Sequence, residues 1–582
     1  MISSQLMLTS THGARMKKLM ISLISFGILS HSIMVLSTPQ VKATKPPYNI
    51  ILIISDQETN HLSQADGYQL PARRMLKEHG VAFENHYTAA AMCSPSRATF
   101  LTGVPPQKNG VYDQMEYSFV SDLNTKWPTI GSVLKKLGYR TVYFGKLEMS
   151  KALLEDKNTI NYSNLAKSYG FDAFNPNGDV NSSPQEGYSA DSYTAGEAIQ
   201  WLRKNAHVTK TNAQPFFLVV SLLNPHDIMY GDANLPGMPR VQLPLAPVIL
   251  PPPANSLYAK KWKFSLSPTL QESLVTRGTP NALNEYQKGW TASLGKIPAT
   301  RTDMWHYYYN YYLNALRDND NSLGQIVKTI NEMNLWQNTV IISTADHGEM
   351  GGAHGGLRGK GPMAYEENAH IPLIIDHPTG FHGTKNIALT SHLDLLPTIV
   401  GLTNLPVTER QKVTQRFAGK DFSNLVTIKK MPDLHAIRPA VLFNYVGIST
   451  IDGQYLSNML KASFTHHNLP SLSEVDMNKR GFLSFIFDGR YKYARFYAPN
   501  AFNTPESMDE IFKYNDVQLF DLKTDPNETE NLALAPEKNK DLILRMNHLL
   551  NTMIENEVGT NTGNFLPSTI QSNVHSVTFN QK

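Results

Sequence analysis

The sequence predicts an α/β fold: a large, mostly parallel or mixed sheet sandwiched by helices, then a smaller C-terminal antiparallel sheet with a helix. Three observations carry this. Continuous apolar, β-rich runs at 48–55 (YNIILIIS), 215–223 (PFFLVVSLL) and 339–343 read as strands buried on both faces. Segments of helical periodicity separate them, and strand-helix alternation builds a parallel sheet. From about residue 437 the texture changes to short β-like runs.

The elements follow in order. After the strand at 48–55, residues 71–79 read as a short helix opened by Pro71. Residues 127–137 read as a helix after Trp127-Pro128, 141–144 as a strand, 189–205 as a helix and 215–223 as a strand. Residues 231–300 break the alternation: they are proline-rich, with Pro251-Pro252-Pro253, and predict a long excursion or lid over the core. A long helical pattern covers 301–334, followed by strands at 339–343 and 372–375 and a helix at 393–400. Short strands are expected at 440–445, 483–487, 491–496 and 517–522, with a helix near 536–554 and a loose tail at 559–582. The expected domains are thus 44–436, carrying the chemistry, and 437–558, a small α+β subdomain.

Composition narrows the class. With 41% hydrophobic and 18% charged residues, the chain is neither collagenous nor coiled-coil nor wholly disordered. A single cysteine excludes an intrachain disulfide and a cysteine-rich zinc site. The net charge of +4 comes from Arg15, Lys17, Lys18 and Lys42; without them basic and acidic residues balance, so no nucleic-acid partner is expected.

Those basic residues have another reading. Arg15, Lys17 and Lys18 precede an apolar run, 19–36, and Val41-Lys42-Ala43 places small residues at −3 and −1 of a cleavage site. This is the pattern of a secretory signal peptide over residues 1–43, with Met16 as an alternative start. An uncleaved anchor helix is the competing reading, weakened by Ser22, Ser25, Ser30, His31 and Ser32. Export to a periplasm or the medium is expected, with no integral membrane segment after cleavage.

Ligands of open parallel sheets sit outside the carboxyl ends of the strands. Four strand ends carry suitable groups: Asp56-Gln57, Gly145-Lys146-Leu147-Glu148, Asn224-Pro225-His226-Asp227 and Asp346-His347-Gly348-Glu349. A lone Asp after a strand is usually a cap or turn residue; four charged ends together point to a site. Oxygen donors from Asp56, Gln57 and Asp346 favour one divalent cation, Ca²⁺ first and Mg²⁺ as the alternative. The only cysteine lies in Cys93-Ser94-Pro95-Ser96-Arg97, at the expected start of a helix just past it. A helix N-terminus favours anions and lowers a thiol pKa.

Cys93-Ser94-Pro95-Ser96-Arg97 with Leu101-Thr102-Gly103 resembles the formylglycine signature of type I sulfatases, in the alkaline phosphatase superfamily. The likeness runs on in order through Asp56-Gln57, Gly145-Lys146, Asn224-Pro225-His226, Asp346-His347-Gly348 and Gly359-Lys360-Gly361 before Tyr365-Glu366. Phe520-Asp521-Leu522, Asp525-Pro526 and Asn531-Leu532 resemble the family's C-terminal closing motif, so about 47–535 is covered.

The resemblance implies a sulfuric ester hydrolase of the arylsulfatase kind, acting on a small-molecule or carbohydrate sulfate ester. It implies that a maturation enzyme converts Cys93 to formylglycine, whose hydrate is the nucleophile. One diol hydroxyl attacks sulfur, the alcohol leaves, and the second hydroxyl loses its proton and expels sulfate. Asp56, Gln57, Cys93, Asp346 and His347 would hold the cation, Arg97, Lys146 and Lys360 would spread the sulfuryl charge, and His226 or Lys360 would protonate the leaving oxygen.

Two residues depart from the family pattern. Gln57 stands where many members have Asp. Glu148 stands where a histidine usually deprotonates the second hydroxyl; it could take over that task, tune the metal, or point away while His354 or His86 acts instead. Two residues past Lys146 on an extended segment, Glu148 is expected to face the site. Hydrolysis of phosphonate monoesters or phosphodiesters by the same modified cysteine is the alternative activity. A non-catalytic anion-binding relative is the third reading.

Overall fold

The computed structural model describes residues 46–62, 65–154, 162–206, 214–245, 248–414, 417–429, 431–465, 470–499, 504–559 and 566. The N-terminal 43 residues lie outside this set, as do His466, His467 and almost all of the C-terminal tail. The strands in chain order are β1 (Asn49–Asp56), β2 (Val81–Phe83), β3 (His86–Tyr87), β4 (Arg140–Gly145), β5 (Phe216–Pro225), β6 (Thr339–Ala345), β7 (Leu373–Asp376), β8 (Thr384–Asn386), β9 (Thr390–Ser391), β10 (Val441–Tyr445), β11 (Phe482–Phe487), β12 (Tyr491–Tyr497) and β13 (Asn515–Asp521).

Seven of them form one mixed sheet in the order β4-β5-β1-β6-β7-β2-β8. The first four run parallel, with Ile50 opposite both Phe217 and Val340. β7 is antiparallel to its neighbours β6 and β2. Period-2 alternation splits β1 between two cores. Ile50, Leu52 and Ile54 pack with Ala98, Phe100 and Leu101 of the helix Cys93–Thr102. Ile51 and Ile53 pack on the other face with Leu323, Ile326, Val327 and Ile330 of the helix Thr302–Glu332. Each such side chain contributes about 1.5–3 kcal/mol on burial, and Leu52→Ala would cost about 2–5 kcal/mol.

Helix Cys93–Thr102 is buried along its whole length, so it shows no apolar stripe. Pro95 sits in its first turn, where the missing N–H has no intrahelical partner to lose. Gly103, at φ 65°, ends it by donating to Thr99 O. The helix begins at Cys93 itself rather than just past it.

The smaller sheet is antiparallel, β10-β11-β12-β13. Leu442, Ile486 and Leu519 pack against Ile543, Met546, Leu550 and Ile554 of the helix Lys540–Glu557. Val441, Phe443, Leu483 and Phe485 pack on Tyr87, Ala91 and Met92, and Asn444 N donates to Ala89 O at 2.9 Å. This sheet therefore braces the chain immediately before Cys93.

The proline-rich excursion is more ordered than its composition suggested. It contains the helix Asn281–Leu294, and Tyr258, Phe264 and Leu270 share a core with Trp305, Tyr308 and Tyr312. From that helix Tyr286 OH reaches Arg358 O (2.8 Å) and Lys360 O (3.0 Å), fixing the backbone that carries Lys360. Among the described residues, no helix is long and apolar enough to cross a membrane.

Candidate active site

The carboxyl ends of β4, β5, β1 and β6 lie side by side, so Lys146, His226, Asp56 and Asp346 leave one edge of the sheet together. Gly145 (φ 96°) lets β4 turn there: a Cβ would fall 1.9 Å from Ser221 O. Beyond β1, Gln57 takes φ 72°. Tyr312 OH donates to Gln57 O at 2.9 Å and accepts from Thr59 N at 3.1 Å, holding this turn.

Cys93, wholly buried, is the centre. Its Sγ lies 3.1 Å from His347 Nε2 and 3.8 Å from Asp56 Oδ1. Donor atoms of Asp56, Cys93, Asp346 and His347 all lie within 4.8 Å of one another. Arg97 Nη2 bridges Asp56 Oδ2 (3.0 Å) and Asp346 Oδ2 (2.9 Å), and Arg97 Nη1 donates to Lys146 O and Ser221 Oγ. Lys146 Nζ lies 2.7 Å from Asp56 Oδ2 and 3.0 Å from Glu148 Oε1. Lys360 Nζ donates to Gln57 Oε1 at 2.6 Å, while Gln57 Nε2 donates to Glu349 Oε2.

The electrostatics fit a cation. His347 Nδ1 is 3.1 Å from Gly348 O, which assigns the proton to Nδ1. The lone pair on Nε2 then faces Asp56 Oδ1 (3.7 Å) and Asp346 Oδ2 (3.6 Å), acceptors all. Burial keeps this imidazole neutral, below its ordinary pKa. Burial also opposes the charge of Asp56, yet the Lys146 ammonium and the Arg97 guanidinium hold its carboxyl well below the usual range. Four buried carboxylates (Asp56, Glu148, Asp346, Glu349) surround three buried cations (Arg97, Lys146, Lys360), leaving room for positive charge. Gln57 Oε1, bonded to Lys360, keeps a second lone pair for a cation.

Two expectations change. The Cys93 thiol is not activated: burial first, and Asp56 next, push it up to about 12, outweighing the helix terminus. Glu148 does face the site, but not by strand alternation. Its φ is 53°, and Asp179 holds the turn by accepting from Leu147 N (2.7 Å) and Glu148 N (2.6 Å). Ser94 Oγ donates to Glu148 Oε2 at 3.0 Å.

The other histidines divide. His354 stacks on Tyr365 and contacts Glu272, and His86 bonds Thr390, so neither shows a contact to Cys93. His226 is buried, pushed well below its ordinary pKa by burial and then Lys360, and its Nδ1 has no hydrogen-bond partner. His370, His377 and His392 are buried, whereas His382 is exposed. His392 Nδ1 lies 3.0 Å from Thr88 Oγ1, and its Nε2 is 3.0 Å from Ala345 O, just before Asp346.

Sequence reasoning missed the buttresses Ser94, Asp179, Ser221, Tyr312 and His392. It quoted Glu349 beside Asp346 without giving it a task. Tyr312 lies in a run of tyrosines on the long helix, and Tyr308, Tyr309, Tyr311 and Tyr312 form core. Only its hydroxyl reveals the second duty.

A parallel-edge site with clustered carboxylates, three cations and one buried thiol has the charge and ligand atoms to hold an anionic group and a metal ion. The family model described as Sulfatase matches residues 48–405, and the chain belongs to that family. It is 26% identical to arylsulfatase K of Canis lupus familiaris over 381 residues, 62% of this chain and 64% of that protein. The chain thus spans just under two thirds of that relative. It is 26% identical to an ulvan-active sulfatase of Formosa agariphila over 442 residues, 72% of each chain. A solved 2-O GAG sulfatase shares the fold with a TM-score of 0.62 at 19% identity, over 88% of this chain and 93% of that one.

Proposed function

We propose that this protein hydrolyses sulfate esters of carbohydrates, as an exported enzyme whose Cys93 is oxidised to formylglycine by a maturation enzyme. The observation that carries this is the position of Cys93: at a helix N-terminus, within 4.8 Å of Asp56, Asp346 and His347, and ringed by Arg97, Lys146 and Lys360. An unactivated thiol is a poor nucleophile, which supports modification before use. The names of the relatives, one ulvan-active, support a saccharide as the alcohol.

Asp56, Asp346 and His347, with Gln57 and the modified Cys93, would hold one Ca²⁺, with Mg²⁺ as the alternative. That cation would polarise the sulfuryl oxygens and favour the ionised nucleophile. The aldehyde hydrate contributes a nucleophile that can expel sulfate without attack by water on a stable ester. The chain's own groups do the rest. Arg97 is locked between Asp56 and Asp346, so it orients them and lends them positive charge. Lys146 and Lys360 draw the sulfate in and balance the charge that builds on its oxygens. His226, neutral by burial, suits hydrogen bonding to a sulfate oxygen; Lys360, an ammonium, suits protonating the leaving oxygen. Glu148, anchored by Ser94, is the base that takes the proton from the second hydroxyl.

The test is a panel of sulfated saccharides, an aryl sulfate, choline sulfate and an aryl phosphonate on the matured protein. Sulfate released from the saccharides, and lost in Cys93→Ala, is the expected result. Turnover of the phosphonate alone would reassign the chemistry to phosphorus, and no turnover of any ester would leave an anion-binding relative.

A further inference from the structure

A second convergence of ligand atoms lies away from Cys93, where the loop after β1 meets the segment Glu366–Ala369. His61 Nε2 is 2.9 Å from His370 Nδ1 and 3.3 Å from Glu366 Oε2. His370 Nδ1 is itself 2.9 Å from Glu366 Oε2. Two imidazole nitrogens and one carboxylate oxygen therefore face a common point.

The surroundings orient these atoms. His370 Nε2 lies 2.8 Å from Glu84 O, a group that only accepts. A proton on Nε2 satisfies that carbonyl and leaves the Nδ1 lone pair turned toward Glu366 and His61. Anchoring the far nitrogen of a histidine on a carbonyl is how metal-binding imidazoles are commonly held. His370 also stacks on Tyr87 with ring centroids 4.7 Å apart. Tyr87 OH donates to Glu366 Oε2 at 2.9 Å, and Lys492 Nζ holds Oε1 at 2.6 Å. His61 differs from its two partners: its side chain is 37% exposed and borders a cavity of about 40 Å³ shared with Glu349 and Glu367. That space can hold water.

We propose that His61, Glu366 and His370 form a second metal site, taking one Zn²⁺ or a similar borderline divalent ion with a water in the open position. Two imidazoles and one carboxylate are the donor set of open zinc sites, whereas the oxygen-rich cluster at Asp56 and Asp346 suits a hard cation. The ion would fasten the loop that follows Asp56 and Gln57 to the chain that follows Lys360. The competing arrangement has Asn60 Nδ2, 3.1 Å from His370 Nε2, as the donor. The proton then moves to Nδ1, and the trio is a hydrogen-bonded network with no ion.

The full-length protein, stripped of metal and resaturated with Ca²⁺, is titrated with Zn²⁺ and its bound metal measured. One Zn²⁺ per chain that raises Tm is expected. In His61→Ala the affinity falls more than about tenfold, with Tm in the absence of Zn²⁺ unchanged. Independently, Zn²⁺ should shield His61 of the wild type from diethyl pyrocarbonate, read by peptide mass. No Zn²⁺ bound beside Ca²⁺, undiminished binding in His61→Ala, or a His61 equally reactive with and without Zn²⁺ would each overturn the proposal.

Discussion

Glu148 Oε1 lies 3.0 Å from Lys146 Nζ, an ion pair with both side chains out of solvent. Lys146 is shared with Asp56, so one ammonium links the proposed base to the proposed metal site. Glu148→Gln keeps the shape and the Ser94 contact and removes the basicity. Alcohol should be released in a single burst, followed by steady turnover slower by about 10²–10⁴-fold. Stopped-flow detection of an aryl alcohol checks this; steady turnover like the wild type would remove Glu148 from the chemistry.

Modification of Cys93 is directly measurable. Peptides spanning 92–97 from active protein should carry the mass of an aldehyde in place of CH₂SH. Cys93→Ala should lose all turnover. Active enzyme with only the unmodified thiol would refute the mechanism.

Asp56 pairs with Arg97 and Lys146, so Asp56→Ala takes from each of these buried cations one of its two carboxylate partners. A loss of about 3–5 kcal/mol in unfolding free energy is expected, along with activity. Urea denaturation reads the first and ester hydrolysis the second. Chelation of the wild type should abolish activity reversibly, with Ca²⁺ restoring it.

His392 supplies a pH test. Burial pushes its pKa down to about 3, so the unfolded chain takes up a proton near the ordinary histidine value while the folded one refuses it. Its contribution is complete above about pH 6.5 and is lost as pH falls toward 3. The loss is about 1.4 kcal/mol per pH unit. Unfolding free energies across pH 5–7.5 should show a slope that is shallower by one proton in His392→Gln.

Tyr312→Phe removes one hydroxyl and leaves the ring packed. Gln57 O and Thr59 N lose their partner, at a cost of about 1–3 kcal/mol. A larger fall in kcat than in substrate affinity is expected, because the change displaces Gln57 and through it Lys360. An unchanged kcat would confine Tyr312 to stability.

Much of this was legible because the strands are buried on both faces. Ile50 to Ile54 serve two cores at once, leaving an unbroken apolar run that also marks where Asp56 must emerge. Strand ends then located Lys146, His226 and Asp346. Glu148 was found for the wrong reason: alternation supposed an extended chain, whereas Asp179, more than thirty residues away, enforces a left-handed turn. β2, β3, β8 and β9 have two or three residues each and left no periodic signal. No local pattern marks histidines 370, 377 and 392 as buried, because their burial depends on partners distant in sequence.

Cys93 is 0% exposed, hemmed in by its own helix, by three strand ends and by the small sheet behind Met92. No second protein can touch that sulfur once these parts have met. The proposed oxidation would therefore have to come before the chain closes, which would make maturation a race against folding. A sequence change that speeds assembly of the sheet would shrink the interval and raise the fraction of inert molecules without altering the finished site.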